Sequence, residues 1–322
     1  MGVQQQNGGA GRVRGQEAGV GMLEVELAGL RLRNPTMLAS GILGTSGAAL
    51  KRVAQSGGAG AIVTKSIGVT PREGHPNPTV VEIEGGLISA IGLANPGYEE
   101  FREEIEVAKQ GGVPVIGSVY GFNFQEYAMV AEALQSYGVD AVELNISYPN
   151  VGKAGAFFGY REELAHEVVS EVKKKVKLPV FAKLTANAGD VVSVAKACEE
   201  AGADGITATG ALRAMAIDIT TAKPVLGNRV GGLSGACLKP VALRCVYEIA
   251  EEVRIPVIGC GGISTGRDAV EFFLAGARAV QIGTAVLYRG ITVFRKVAQE
   301  IAEYLEEQGY SHVSDIVGVA QR

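Results

Sequence analysis

The sequence predicts an α/β chain closed into a (β/α)8, or TIM, barrel, and three observations predict it. Short runs rich in β-branched residues recur along the chain, each followed by a segment of helical period. Most of these runs are apolar on consecutive residues instead of alternating, the pattern of parallel strands covered on both faces. Eight occur, at 36–41, 61–66, 114–119, 141–147, 179–185, 205–210, 256–260 and 279–284, and eight βα units in series close naturally on themselves. A doubly wound open sheet is the alternative, but no G-x-G-x-x-G follows the first run.

Taken in order, residues 1–21 (MGVQQQNGGAGRVRGQEAGVG) are rich in Gly and Gln and lack any apolar period, so they read as a disordered or non-native extension. Met1-Gly2 is no myristoylation site, because Gln6 stands where Ser or Thr is needed. Patterned sequence begins at Met22, a candidate for the true start, and residues 22–322 read as a single domain. Residues 23–32 (LEVELAGLRL) alternate and stop at Asn34-Pro35, which predicts a hairpin plugging the barrel floor. Helices are expected at 101–109, 126–135, 162–175 and 190–201, the last with Asp190 as its N-cap. Residues 67–98 and 211–237, rich in Gly and Pro, are long excursions after strands two and six. Both leave from strand C-terminal ends, where such a barrel keeps its active site.

Bulk composition narrows the function classes. Of 322 residues, 47% are hydrophobic, ample for a large core, and a net charge of -4 with 20% charged residues offers no basic stripe for nucleic acid. The cysteines Cys198, Cys237, Cys245 and Cys260 have no C-x-x-C spacing and follow no signal peptide, so they read as reduced, cytosolic and mostly buried. No apolar run reaches the roughly 18 to 20 residues of a membrane span. His75 lies in a Pro-rich loop, His166 on a helix and His312 near the C-terminus. They form neither a metal ligand set nor a Ser/His/Asp triad.

Chemistry collects at the strand ends. Strand one ends in Ala39-Ser40-Gly41, strand two in Thr64-Lys65-Ser66, strand four in Asn145-Ile146-Ser147-Tyr148, and strand five at Lys183. A lone lysine at a strand end is commonly a snorkelling surface residue. Lys65 and Lys183, however, follow apolar runs (AIVTKS, PVFAKL), and two lysines in one barrel mouth are costly without an anion or electron-rich ligand between them. Strand seven ends in Gly259-Cys260-Gly261-Gly262-Ile263, with Ser264 and Thr265 opening a helix, and strand eight in Ile282-Gly283-Thr284. Glycine backbones and a helix N-terminus at strands seven and eight form the usual phosphate site of such barrels.

The combination resembles the class 1 dihydroorotate dehydrogenases, FMN-containing (β/α)8 barrels, from Met22 to Arg289. Matching stretches are NPTMLASG (34–41), TKSIGVTPREGHPNP (64–78), IGLANPG (91–97), ELNIS-PN (143–150, interrupted at Tyr148), AKLT (182–185), AGADGIT (201–207), GGLSG (231–235), IGCGGIS (258–264) and IGTA (282–285). The resemblance implies FMN contacts from Ala39, Ser40, Lys65, Asn145, Lys183, Gly232, Ser234, Gly261, Gly262, Gly283 and Thr284. It also implies oxidation of dihydroorotate to orotate, in which a side-chain base takes a proton from C5 while hydride leaves C6 for the flavin.

The substrate half departs from the family. Tyr148 stands where this class has a cysteine base, Ser89 where an Asn contacts the pyrimidine, and Gly210-Ala211 where another Asn is followed by Ser or Thr. Lys65, the Ile91-Gly92-Leu93 backbone, Asn145 and Asn150 remain. Tyr148 can serve as base only if a neighbour such as Lys65 acidifies its phenol. Alternatively it fills space left by Ser89 and Gly210 and reshapes the pocket for another planar substrate, with Arg213 as a cation for a carboxylate or simply a solvated loop arginine. A third reading, an RNA-modifying barrel of the dihydrouridine synthase kind, would bring a helical domain and basic surface that this chain does not show. The resemblance further implies a homodimer or hetero-oligomer, with an electron-transfer subunit carrying FAD and an iron–sulfur cluster, since no cysteine cluster here could hold one.

Overall fold

The computed structural model describes residues 21–152 and 154–322, so the extension read at 1–21 lies, but for Gly21, outside the described residues. All eight expected strands form, at Thr36–Leu38, Ala61–Val63, Val115–Val119, Ala141–Asn145, Val180–Leu184, Gly205–Ala208, Val257–Cys260 and Ala277–Ile282. They run parallel in chain order and close where the eighth pairs with the first, Val280 against Thr36. The third, fourth and fifth strands are buried at every residue, which is why their sequences show no alternation. Several strands end earlier than their sequence runs, because their polar last residues leave the ladder for the site. The eighth begins two residues early: Arg278 is exposed between buried neighbours and interrupts the apolar pattern.

The floor plug is present. Val25–Leu27 and Leu30–Leu32 pair as an antiparallel hairpin, and its Leu27 and Leu32 pack with Met37, Ile116, Phe181 and Ile258 inside the barrel. Outside, helices cover the strands: Arg102–Lys109, Phe124–Ser136, Glu162–Lys173, Val191–Glu200, Lys239–Glu252, Gly266–Leu274 and Val293–Gln308. Asp190 caps its helix as expected, accepting from the Val192 and Ser193 N–H groups at 3.0 Å each.

The two excursions meet. Val80–Ile83, Gly86–Ser89, Leu212–Ala214 and Gly231–Ser234 form one four-stranded antiparallel sheet in which Gly232 pairs with both Ser89 and Arg213. Segments more than a hundred residues apart in the chain thus make a single wall over the barrel mouth. Among the described residues no helix is long and apolar enough to cross a membrane.

Candidate active site

A cavity of about 280 Å³ opens between the C-terminal ends of the barrel strands and the excursion sheet. Ala39, Ser40, Lys65, Asn145 and Lys183 line it from the barrel side. Gly261, Gly262, Gly283, Thr284 and Ser234 line one end, and Ser89, Ile91, Leu93, Tyr148, Gly210 and Ala211 line the rest. Three of the expected residues stand behind this wall. Gly92 donates its N–H to Tyr148 Oη at 2.7 Å, Asn150 donates Nδ2 to the Ser89 carbonyl at 3.2 Å, and Gly232 sits in the excursion sheet.

Asn145 is fixed by its surroundings. Its Nδ2 donates to Ser66 Oγ (2.8 Å), and its Oδ1 accepts from the N–H (3.2 Å) and Oγ (2.9 Å) of Ser147. Ser66 continues the chain to Ser118 (2.9 Å) and Ser40 (3.2 Å). The oxygen of that amide is therefore filled, and one N–H of its nitrogen is left for a ligand.

The lysines differ. Lys65 is 9% exposed, and its Nζ has neither a hydrogen-bond nor an ion-pair partner among the described residues. Burial alone pushes its pKa below the ordinary lysine value. Lys183 donates to Gln281 Oε1 at 2.6 Å and lies 3.5 Å from Glu143 Oε1. Burial pulls its pKa down, but Cys260 and Glu143 outweigh that and leave it above the ordinary value. Burial also pushes the Cys260 thiol up. The thiolate that would help hold the Lys183 charge is thus disfavoured, and the Glu143 carboxyl, 3.5 Å from Lys183 Nζ, is its other acidic neighbour.

Tyr148 does not meet the condition for a base. Burial pushes its phenol up, against smaller opposing pulls from the Gly92 N–H, Asn150, the Leu93 N–H and Arg72. Lys65, the neighbour expected to acidify it, is not among those groups. Arg213 is exposed on the strand Leu212–Ala214 and does not line the cavity, so the solvated reading describes it. The Gly210 position is filled from the other side: a Cβ there would come within 2.4 Å of Ser147 Oγ and 2.5 Å of Ser147 Cβ.

The residues fit a flavin phosphate at strands seven and eight, in a way the sequence only partly anticipated. None of the N–H groups of Gly261, Gly262, Ile263, Gly283 and Thr284 is taken up by a backbone oxygen among the described residues. A Cβ at Gly283 would meet only Ala39 Cβ, at 3.5 Å, so the space its missing side chain leaves is cavity. The helix Gly266–Leu274, by contrast, does not offer its first N–H groups. Asp268 Oδ2 accepts from Ser264 (3.0 Å) and Thr265 (2.8 Å), and Glu300 accepts from Gly266 (2.5 Å). The two loops, not that helix terminus, form the anion cradle. Thr209 Oγ1, on the cavity wall, is buried without a partner.

The geometry has a counterpart in known proteins. The family model described as dihydroorotate dehydrogenase matches residues 22–305. This chain belongs to the dihydroorotate dehydrogenase family. It is 48% identical over 303 residues to the dihydroorotate dehydrogenase B (NAD(+)) catalytic subunit of Methanocaldococcus jannaschii, covering 93% of this chain and 98% of that one. Proteins of the same description from Methanocella arvoryzae (50% over 294 residues; 91% and 96% covered) and Pyrococcus furiosus (49% over 300 residues; 93% and 99%) are equally similar. The similarity to dihydroorotate dehydrogenases thus runs through nearly the whole barrel sequence, and these comparisons give no support to the reading of another planar substrate.

Sequence reasoning placed Ser66, Ser147 and Cys260 at strand ends without giving them a role, and passed over Thr209, Gln281 and Glu143. Ser66, Ser147, Thr209, Cys260 and Gln281 line the cavity, and Glu143 lies beneath it. Glu143 carried one usable signal: it is an ionisable residue inside the otherwise apolar run AVELN.

Proposed function

We propose that this chain is the flavin-bearing catalytic subunit of a dihydroorotate dehydrogenase, oxidising dihydroorotate to orotate in pyrimidine biosynthesis with FMN in the cavity at the barrel mouth. One observation carries this reading: a buried lysine without an ionic partner faces the same cavity as two glycine loops whose N–H groups are untaken. Gly261, Gly262, Gly283 and Thr284 would hold the phosphate, with Ser234 fixed beside them by the hydroxyl of Thr284 at 2.8 Å. Ala39, Ser40, Asn145 and Lys183 would hold the ring system. FMN, when bound, supplies the two-electron acceptor for the hydride from C6 of the substrate.

The chain's own groups do the rest. Ser89, the Ile91–Leu93 backbone, Asn145, Gly210 and Ala211 border the substrate space, with Asn150 braced behind Ser89. Lys65 takes the C5 proton. Its amine form is favoured by burial, no partner among the described residues holds the ammonium, and at Tyr148 burial outweighs the Gly92 N–H and keeps the phenol above its ordinary pKa. The relatives' description as catalytic subunits of NAD(+) enzymes supports a second subunit that carries the electrons onward to NAD(+), and the family resemblance gives that subunit FAD and an iron–sulfur cluster.

A spectrum of the purified protein before and after anaerobic dihydroorotate tests the proposal. The flavin band should bleach. A full complement of FMN that stays oxidised under dihydroorotate would overturn it.

A further inference from the structure

Below the cavity, four side chains from four barrel strands meet in the barrel interior: Glu143, Lys183, Thr207 and Gln281. Glu143 is wholly buried; its Oε2 accepts from Thr207 Oγ1 at 3.0 Å and from Gln281 Nε2 at 2.5 Å. Gln281 Oε1 in turn accepts from Lys183 Nζ at 2.6 Å. The orientation of the Gln281 amide is forced, because a carboxylate can only accept and an ammonium can only donate. Glu143 Oε1 faces Lys183 Nζ at 3.5 Å and has no hydrogen-bond partner.

A neutral amide at position 143 would still accept from Thr207 and Gln281. The hydrogen bonds therefore do not explain why a carboxylate is buried here, where an unpaired charge is costly. Lys183 explains it. The titratable groups that face Lys183 are Glu143, on the fourth strand, and Cys260, on the seventh. The thiol is held protonated by burial, and Lys65, across the cavity, bears no negative charge in either protonation state.

We propose that Glu143 is the positioning residue that keeps Lys183 charged at the cavity floor, so that a ligand in the cavity meets the field of a Glu143–Lys183 pair. The inference rests on the FMN reading above, for which Lys183 is a cofactor contact. Without the carboxylate, Lys183 loses its proton at a lower pH, and the stabilisation it gives to reduced flavin disappears with it.

The test is a redox titration of bound FMN across a pH series in the wild type, Glu143→Gln and Glu143→Gln/Lys183→Met. In Glu143→Gln the pH above which the midpoint potential falls more steeply should move down by about 1–3 units, the size of an opposite charge removed from close contact. The break should vanish in the double variant. A Glu143→Gln profile that superimposes on the wild type would overturn the inference. Should that variant not fold, the infrared difference spectrum between oxidised and reduced wild type decides: ionised carboxylate bands support the pair, and a protonated carboxyl band overturns it. A wild type that binds no FMN sinks the proposed function instead, so the two failures are distinguishable.

Discussion

Tyr148 and Lys65 exchange the roles that their positions in the chain first suggest. The phenol stands where the family keeps its base, yet burial raises its pKa more than the Gly92 N–H lowers it. In the proposed function Lys65, buried and without a partner among the described residues, is the proton acceptor. Lys65→Ala should slow flavin reduction by dihydroorotate by about 10²- to 10⁴-fold, and added alkylamines should restore part of the rate in stopped-flow traces. The pH dependence has a definite sign. An ammonium accepts no proton, so the wild-type rate should climb with pH and level off below 10.5, since burial lowers this lysine from that value. Tyr148→Phe should cost less in rate and gain nothing from amines, while the stranded Gly92 N–H lowers stability by about 1–3 kcal/mol in thermal or urea unfolding. Gly210→Asn, which would bring back the family's residue, drives its Cβ into Ser147. It should destabilise by about 1–3 kcal/mol by overpacking.

At the scale of elements, the site depends on how loops are pinned between strand and helix. The loop from Gly261 to Ile263 ends at the capping box of Gly266–Leu274, where Thr265 and Asp268 bond reciprocally. Thr265→Ala should cost about 0.5–2 kcal/mol of stability, read as a fall in Tm, and loosen the anchor of that loop. The helix and the anion cradle therefore have separate tasks, the first bracing the second. Capping was readable locally, because Ser-Thr-Gly-Arg-Asp carries its own signal. The excursion sheet was not, since Gly86–Ser89 and Gly231–Ser234 become strands by pairing with each other. Their own residues show only glycine and short apolar runs.

Across the whole molecule, the cavity joins groups contributed at the end of every barrel strand but the third, and a ligand that fills it couples to global stability. Apoprotein in FMN at a hundred times its Kd should gain about 2.7 kcal/mol, seen as a Tm that rises with FMN concentration. A Tm indifferent to FMN would mean that the cavity does not bind it. The barrel, its floor plug and most of the cavity wall were legible because they follow from patterns a few residues long: consecutive apolar strands, alternation at 23–32, and polar residues ending apolar runs such as those at Asn145 and Lys183. Glu143 was not legible. Its partners Thr207 and Gln281 lie 64 and 138 residues away, and nothing near it in the chain reveals that they converge.

By itself, then, the sequence determined the eight-unit barrel, the end of it where polar residues collect, and most of the residues that line the cavity there. Local hydrophobic period and strand-end polarity are properties of adjacent residues. The tertiary structure alone decided the surroundings of the ionisable groups: that Tyr148 is tied to Gly92, that Lys65 has no partner among the described residues, and that Lys183 lies 3.5 Å from Glu143. A protonation state depends on desolvation and on charges brought close by folding, and both are fixed only once distant strands close around one cavity.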